Sequence, residues 1–454
     1  MRAVTAEWVA GAADGRLEAD PAIEVTGVVR DSREAGPGSL YVALPGERVD
    51  GHDFVDDALR AGAALAVVDR SVDGPSVVVD DCAEALGRIA RDYLRLLKES
   101  GRPTVIGITG SVGKTTTKDL LAQILPNVVV PVESYNNEIG MPLTVLQAGD
   151  ETQNLVLEMG ANGAGHIERL CRIAPPDVAV VLAVGTAHIG MYDSIDAVAE
   201  TKAEIVRGRA EGAIVILNGD DPKVAAMAGL ADRVTTFGIE SGDVRAHDLT
   251  IEGGRPRFVL TRGRESARVT LRLVGRHNVA NALAAAAVAL VRGMALDEVA
   301  ERLCEAHPVS PHRMALTTRP DGITILDDAY NASPESMRAA LQALGQMANG
   351  RRAIAVVGEM LELGDESASA HEEVGRLAGS LRLDGLVVVG EGARPAYDVA
   401  VRQGQVTTVE FADSVDDAAA FLDRTLAPGD LILLKSSHGS GLWELADRLV
   451  EADR

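Results

Sequence analysis

The residues Gly110-Ser111-Val112-Gly113-Lys114-Thr115-Thr116 carry the densest chemical signal in the chain. A short apolar run, Val105 to Thr109, leads into this glycine-punctuated turn, and Leu120, Leu121, Ile124 and Leu125 follow at helical spacing. Strand, glycine turn and helix in that order make a phosphate cradle. The glycines let backbone amides point inward, the helix N-terminus adds partial positive charge, Lys114 reaches terminal phosphates and a threonine hydroxyl can hold Mg²⁺. We read an ATP site over Thr109, Gly110, Ser111, Val112, Gly113, Lys114, Thr115 and Thr116. The full pattern asks for glycine where Ile108 stands, so the match is to the shorter Gly-x-x-Gly-Lys-Thr form.

Two further strands end in groups that bind hard cations. Leu155-Val156-Leu157-Glu158 places Glu158 at a strand's carboxyl end, and the run Val178 to Val184 brings His188 one crossover further on. In a parallel sheet these ends share the edge that carries the phosphate loop. Carboxylate and hydroxyl oxygens suit Mg²⁺, whereas a lone imidazole joins only a mixed site. Lys202 is the odd residue. Ser194 reads as a helix N-cap, and the apolar stripe Ile195, Val198, Ala199, Ile205 and Val206 runs through the lysine's own face. Such lysines usually snorkel to water. A desolvated one has its pKa lowered, becomes a nucleophilic amine and, on capturing CO₂, would become a carbamate able to ligate a second Mg²⁺.

Of 44 basic residues only six are lysine, namely Lys98, Lys114, Lys118, Lys202, Lys223 and Lys435, so each is a stronger candidate for work that arginine cannot do. Against them stand 67 acids and a net charge of -23. That excess argues against nucleic-acid or anionic-membrane partners, and a polyanionic substrate then needs a local basic pocket. Cys82, Cys171 and Cys304 lack metal or redox spacing and read as reduced core thiols. No uncharged apolar run reaches membrane-spanning length, so a cytoplasmic protein without integral membrane association is expected, acting on small molecules and monomeric.

The 454 residues exceed what one core usually supports. Residues 1–102 alternate short strands (Val25 to Val29, Ser39 to Leu44) with helices, and Ser32, Arg33 and Arg48 sit in polar loops suited to an anionic headgroup. Residues 103–308 alternate strands and helices from Thr104 onward, which predicts a mostly parallel sheet with helices on both faces. Strands are expected at 104–108, 127–132, 154–158, 177–184, 213–217 and 233–237, with an antiparallel extension near Val244, Phe258 and Val269. Two helices then end at a hinge, His307-Pro308-Val309-Ser310-Pro311-His312. Residues 309–454 repeat the alternation as a Rossmann-like unit, with strands at 323–326, 353–357, 385–389, 405–410 and 431–434. The segment Gly390-Glu391-Gly392 is too short to argue for a dinucleotide.

The run Gly107 to Thr116 resembles the phosphate loop of the Mur ligases, ATP-dependent amide-bond formers of peptidoglycan precursor synthesis. Asp31-Ser32-Arg33 and Asp50-Gly51-His52-Asp53-Phe54 resemble that family's smaller N-terminal UDP-sugar domain. Asn136-Asn137-Glu138-Ile139-Gly140 and Leu157-Glu158-Met159-Gly160 resemble its centre, and Gly275-Arg276-His277-Asn278 with Asn281-Ala282 its adenine-side helix. Asp327-Asp328-Ala329-Tyr330-Asn331-Ala332-Ser333-Pro334 is similar to the carboxy-terminal signature. Gly358-Glu359-Met360-Leu361-Glu362-Leu363-Gly364, with His371 after it, looks most like members that join D-alanyl-D-alanine to a UDP-muramoyl tripeptide.

The resemblance implies that Lys114 and the loop amides hold the β and γ phosphates, with Thr115 and Glu158 on one Mg²⁺ and His188 with carbamylated Lys202 on the other. Asn281, Arg313 and Asp328 would hold the nucleotide from the second and third domains, and Asn137, Asn331 and Lys435 would face substrate. Four positions depart from the family's usual wording: Ala183 for asparagine, His312 for the glycine before Arg313, Ser333 for asparagine and His438 for arginine. A paralogue using another amine or acyl carrier, and a nucleotide-dependent binding module that makes no bond, are the competing readings.

Overall fold

The structure is a computed structural model and describes residues 1–46, 49–132, 135–186 and 189–451. Among the described residues, three large sheets follow one another along the chain, with a separate two-stranded ladder at the start. The first has five strands in the order Arg16–Glu18, Ser76–Val78, Leu65–Val68, Ser39–Val42 and Gly27–Val29, all parallel except the antiparallel edge formed by Arg16–Glu18. The expected strand over 25–29 is two. Thr26 turns aside to donate its amide to Gly38 O, so Glu24–Val25 pairs with Val4–Thr5 while Gly27–Val29 joins the larger sheet.

The central sheet has nine strands, and Thr104–Thr109, which leads into the glycine turn, lies between Asn154–Glu158 and Val178–Val181. All three run parallel. Glu158 pairs with Ile108 and Val181 with Thr109, so their carboxyl ends share one edge. The expected strand 127–132 shrinks to Val128–Val129 because it pairs only through Val128 and Val129 at the sheet margin. Toward the opposite margin Val244–Glu252 joins parallel to its neighbour at two positions and pairs antiparallel with Arg255–Arg262, which in turn pairs antiparallel with the edge strand Glu265–Thr270. The three strands near Val244, Phe258 and Val269 thus form the expected antiparallel extension, joined to the parallel sheet through Val244 and Arg245.

Helix His277–Val291 is buried along nearly its whole length, and its run of alanines lets it lie close against the phosphate-loop helix Lys114–Ile124. Helix Cys82–Lys98 packs on the central unit's Gly140–Val145 and His166–Ile173, giving the first two sheets one continuous apolar core. That helix is strongly amphipathic, with Asp81 capping its first amides.

The third sheet orders Ala315–Thr318, Thr324–Asp327, Leu431–Lys435, Ala353–Val357, Gly385–Val389 and Thr408–Ala412. Five strands are parallel. The first is an antiparallel edge that periodicity does not reveal, since its residues are half-exposed. Strand Thr408–Ala412 begins later than expected for the same reason: it lies at the other edge with one pairing partner.

Candidate active site

The carboxyl edge of the central sheet and the facing edge of the third enclose a cavity of about 470 Å³. Lys114, Thr115, Glu158, Lys202 and Asn281 border it from the centre, and Arg313, Asp328, Asn331 and Lys435 from the C-terminal unit. Helix Lys114–Ile124 starts at Gly113 without a side-chain cap, which leaves its first amides open toward an anion. Gly113 has φ +88°, and a Cβ there would lie 2.4 Å from Asn281 Oδ1, so glycine is required twice over. Asn281 is itself fixed, donating to Asn278 Oδ1 at 2.9 Å.

Lys114 folds back to donate to Gly110 O at 2.6 Å. Burial pushes its ammonium below the usual lysine range, opposed by Glu158 and reinforced by Arg313. Thr115 Oγ1 donates to Glu158 Oε2 at 3.4 Å. Glu158 is fully buried, and burial holds its carboxyl above the normal range against the pull of Lys114, Lys118 and Arg313. Its other oxygen, Oε1, has no hydrogen-bond partner among the described residues. A buried, unpartnered carboxylate oxygen beside a threonine hydroxyl at a phosphate cradle fits a hard divalent cation.

Lys202 is 5% exposed, on helix Ile195–Arg207 capped by Ser194. Burial and the nearby Lys114 charge bring its pKa down to about 7, and among the described residues no acid lies within ion-pairing distance. The helix aims it into the cavity rather than letting it snorkel. His188 and Arg48 lie outside the described residues. Among those described, no three His, Cys, Asp or Glu side chains converge as a metal cluster.

On the C-terminal side Lys435, 1% exposed, donates to Asp328 Oδ2 at 2.5 Å and to Asn331 O at 2.9 Å. Asp328 also accepts the Met314 amide at 3.1 Å. The Arg313 guanidinium lies 4.2 Å from the Tyr330 ring centroid. Two departures from the family wording acquire partners: His312 bonds Asp327 Oδ2 at 2.7 Å, and Ser333 forms a capping box with Ser336. The exposed His438 stacks on Trp443 with centroids 5.4 Å apart.

The remaining sequence candidates lie elsewhere. Arg33 is exposed and paired with Asp31 Oδ2 at 2.5 Å, with Ser32 in the same short turn, away from the cavity. Asn137 Oδ1 accepts the amides of Ile139 and Gly140, a turn-capping role, and its neighbour Asn136 borders the cavity instead. Glu335, unmarked by any spacing rule, also borders the cavity.

This architecture recurs in known proteins. Residues 24–94 match the Mur ligase family catalytic domain, 108–289 the Mur ligase middle domain and 312–438 the Mur ligase glutamate ligase domain. The chain is 45% identical to the UDP-N-acetylmuramoyl-tripeptide–D-alanyl-D-alanine ligase of Mycobacterium bovis, over 94% of this chain and 93% of that protein. The chain belongs to the Mur ligase family. The Bacillus subtilis ligase of the same name is 34% identical over 96% of each chain. Among solved Mur ligases, MurF from Acinetobacter baumannii superposes with a TM-score of 0.89 at 32% identity over 99% of both chains. The Thermotoga maritima MurF ligase, solved in complex with ADP, superposes at 0.82 and 32% identity, over 94% of this chain and 98% of that one. Among the described residues, no helix of this Mur ligase is long and apolar enough to cross a membrane.

Proposed function

We propose that this Mur ligase uses ATP to add D-alanyl-D-alanine to a UDP-muramoyl tripeptide, with units 1–102, 103–308 and 309–454 supplying UDP-sugar, ATP and amine-side contacts. One observation carries the reading: a single cavity is walled by the uncapped phosphate-loop helix and Glu158 on one side and by Arg313 and Asp328 on the other. A nucleotide in it bridges two units, so binding favours closure.

The tripeptide's terminal carboxylate oxygen attacks the γ-phosphorus as the bond to the β-bridging oxygen breaks, giving an acyl phosphate and ADP. The dipeptide's neutral amine then attacks the acyl carbon. A tetrahedral intermediate collapses as the C–O bond to phosphate breaks, and the nitrogen gives up one proton to the departing phosphate. Lys114 and the loop amides hold the phosphates, and Lys114 with Arg313 offsets charge on the moving phosphoryl group. Asn281 and Asp328 hold the nucleotide from opposite walls, and closure keeps water from the mixed anhydride. Thr115 and Glu158 would hold one Mg²⁺, and Lys202, as its carbamate, would ligate a second together with His188. When bound, the ions neutralise phosphate charge.

Mass analysis of the product from UDP-muramoyl tripeptide, ATP, Mg²⁺ and D-alanyl-D-alanine tests the assignment. The expected product is heavier by one dipeptide unit. An amine panel that yields adducts only with some other amine would overturn it.

A further inference from the structure

Four carboxylates border the cavity among the described residues: Asp119, Glu158, Asp328 and Glu335. Asp119 pairs with Lys118 at 2.6 Å and Asp328 with Lys435 at 2.5 Å. Glu158 stands beside Thr115 within reach of the Lys114, Lys118 and Arg313 charges. Glu335, like Glu158, has an orphaned oxygen, but among the described residues no cationic side chain pairs with it. Its Oε1 accepts the Thr186 amide at 2.6 Å and the Thr186 hydroxyl at 2.8 Å, across the two units, while its Oε2 is buried with no hydrogen-bond partner among the described residues. The approach depends on Gly185, where a Cβ would lie 2.8 Å from Oε1. The same loop is tied to the phosphate loop, because the Gly185 amide donates to Ser111 Oγ at 2.9 Å.

The side chain is thus held rigid by one oxygen and leaves the other dry and unpaired. A buried acceptor in that state is costly unless a ligand completes it. Two cations enter the proposed reaction, a metal with the triphosphate and the ammonium of the incoming dipeptide. Glu158, at the head of the phosphate-loop helix, is placed for the first. We propose that Glu335 receives the second: Oε1 fixes the side chain on Thr186 and Oε2 binds the dipeptide's ammonium before that group releases one proton to solvent and attacks as the neutral amine. The inference rests on the ligase reading above.

Glu335→Gln keeps a carbonyl oxygen for Thr186 and removes the charge. Its KM for D-alanyl-D-alanine is expected to rise roughly 10- to 100-fold, the range for a lost charge-assisted hydrogen bond, with KM for ATP and the Mg²⁺ dependence unchanged. Hydroxylamine, a nucleophile uncharged at neutral pH, should trap the acyl phosphate at the wild-type rate. Glu335→Asp, which retains the charge, should recover part of the dipeptide affinity. A shifted Mg²⁺ dependence with normal dipeptide KM would assign the oxygen to metal and overturn the inference, and equal losses with dipeptide and hydroxylamine would reduce Glu335 to a structural latch. If the wild type itself makes no dipeptide adduct, the ligase reading falls and this inference with it. A wild-type adduct with an unaffected Glu335→Gln variant sinks the inference alone.

Discussion

Thr115 and Glu158 face each other across 3.4 Å at the head of the phosphate-loop helix, and among the described residues the carboxylate's second oxygen is buried without a hydrogen-bond partner. Burial raises the Glu158 pKa, so ionisation opposes folding once pH exceeds its unfolded value. Glu158→Gln removes that cost. The variant should melt higher, by roughly 2–4 °C for each kcal/mol relieved, while losing most Mg²⁺-dependent nucleotide affinity. Calorimetry with ADP, with and without Mg²⁺, alongside thermal melts, reads both.

Lys202, with its pKa lowered to about 7 from 10.5, is largely neutral above pH 7 in the folded chain and protonated there in the unfolded one. The unfolded state then binds the extra proton, so this residue makes apo stability rise as pH climbs from 7 to 10.5. The neutral amine is also the form that captures CO₂. With ¹³C-labelled bicarbonate a carbamate resonance should be present above pH 7, fade below it and be missing in Lys202→Arg. Persistence of the signal in that variant would place the carbamate elsewhere.

At Gly113 a methyl group meets Asn281 Oδ1 at 2.4 Å with the backbone at φ +88°. Gly113→Ala should therefore raise the Kd for ATP at least about tenfold and lower stability by roughly 1–3 kcal/mol. Adding Asn281→Ala relieves the contact but not the backbone strain, so the double variant should regain part of the stability. Full recovery would show that φ strain is negligible.

Lys435 and Asp328 form a buried pair at 2.5 Å. Removing one partner leaves an uncompensated charge, so Lys435→Met should destabilise the C-terminal unit by about 3–5 kcal/mol, as for other broken buried pairs. Lys435→Met with Asp328→Asn should restore a good part of it. Chemical denaturation followed at Trp443, which lies in the C-terminal unit beside His438 and His312, resolves the two.

Central strands such as Asn154–Glu158 and Ala353–Val357 appear where the apolar runs placed them, because burial on both faces leaves continuous apolar stretches, Leu155 to Leu157 and Ala353 to Val357. Edge strands such as Ala315–Thr318 and Val128–Val129 were illegible or overextended. Their extent depends on how much of a single neighbour offers hydrogen bonds, the adjacent Thr324–Asp327 in one case and the more distant Asn154–Glu158 in the other, which local periodicity does not encode.

The site divides in the same way. Residue types and local spacing were enough to mark the phosphate loop, the Ser194 cap and the core-facing Lys202, since strand, turn and helix are set within about ten residues. Tertiary structure alone decided that Asn281 would press on Gly113, that Asp328 would be committed to Lys435, and that Asn137 would cap a turn while Asn136 borders the cavity. It also decided Glu335, whose partner Thr186 lies 149 residues away. An ordinary glutamate in the first turn of a helix has no local signal to distinguish it. Its environment is created only when two sheets close on each other and exclude water from one carboxylate oxygen.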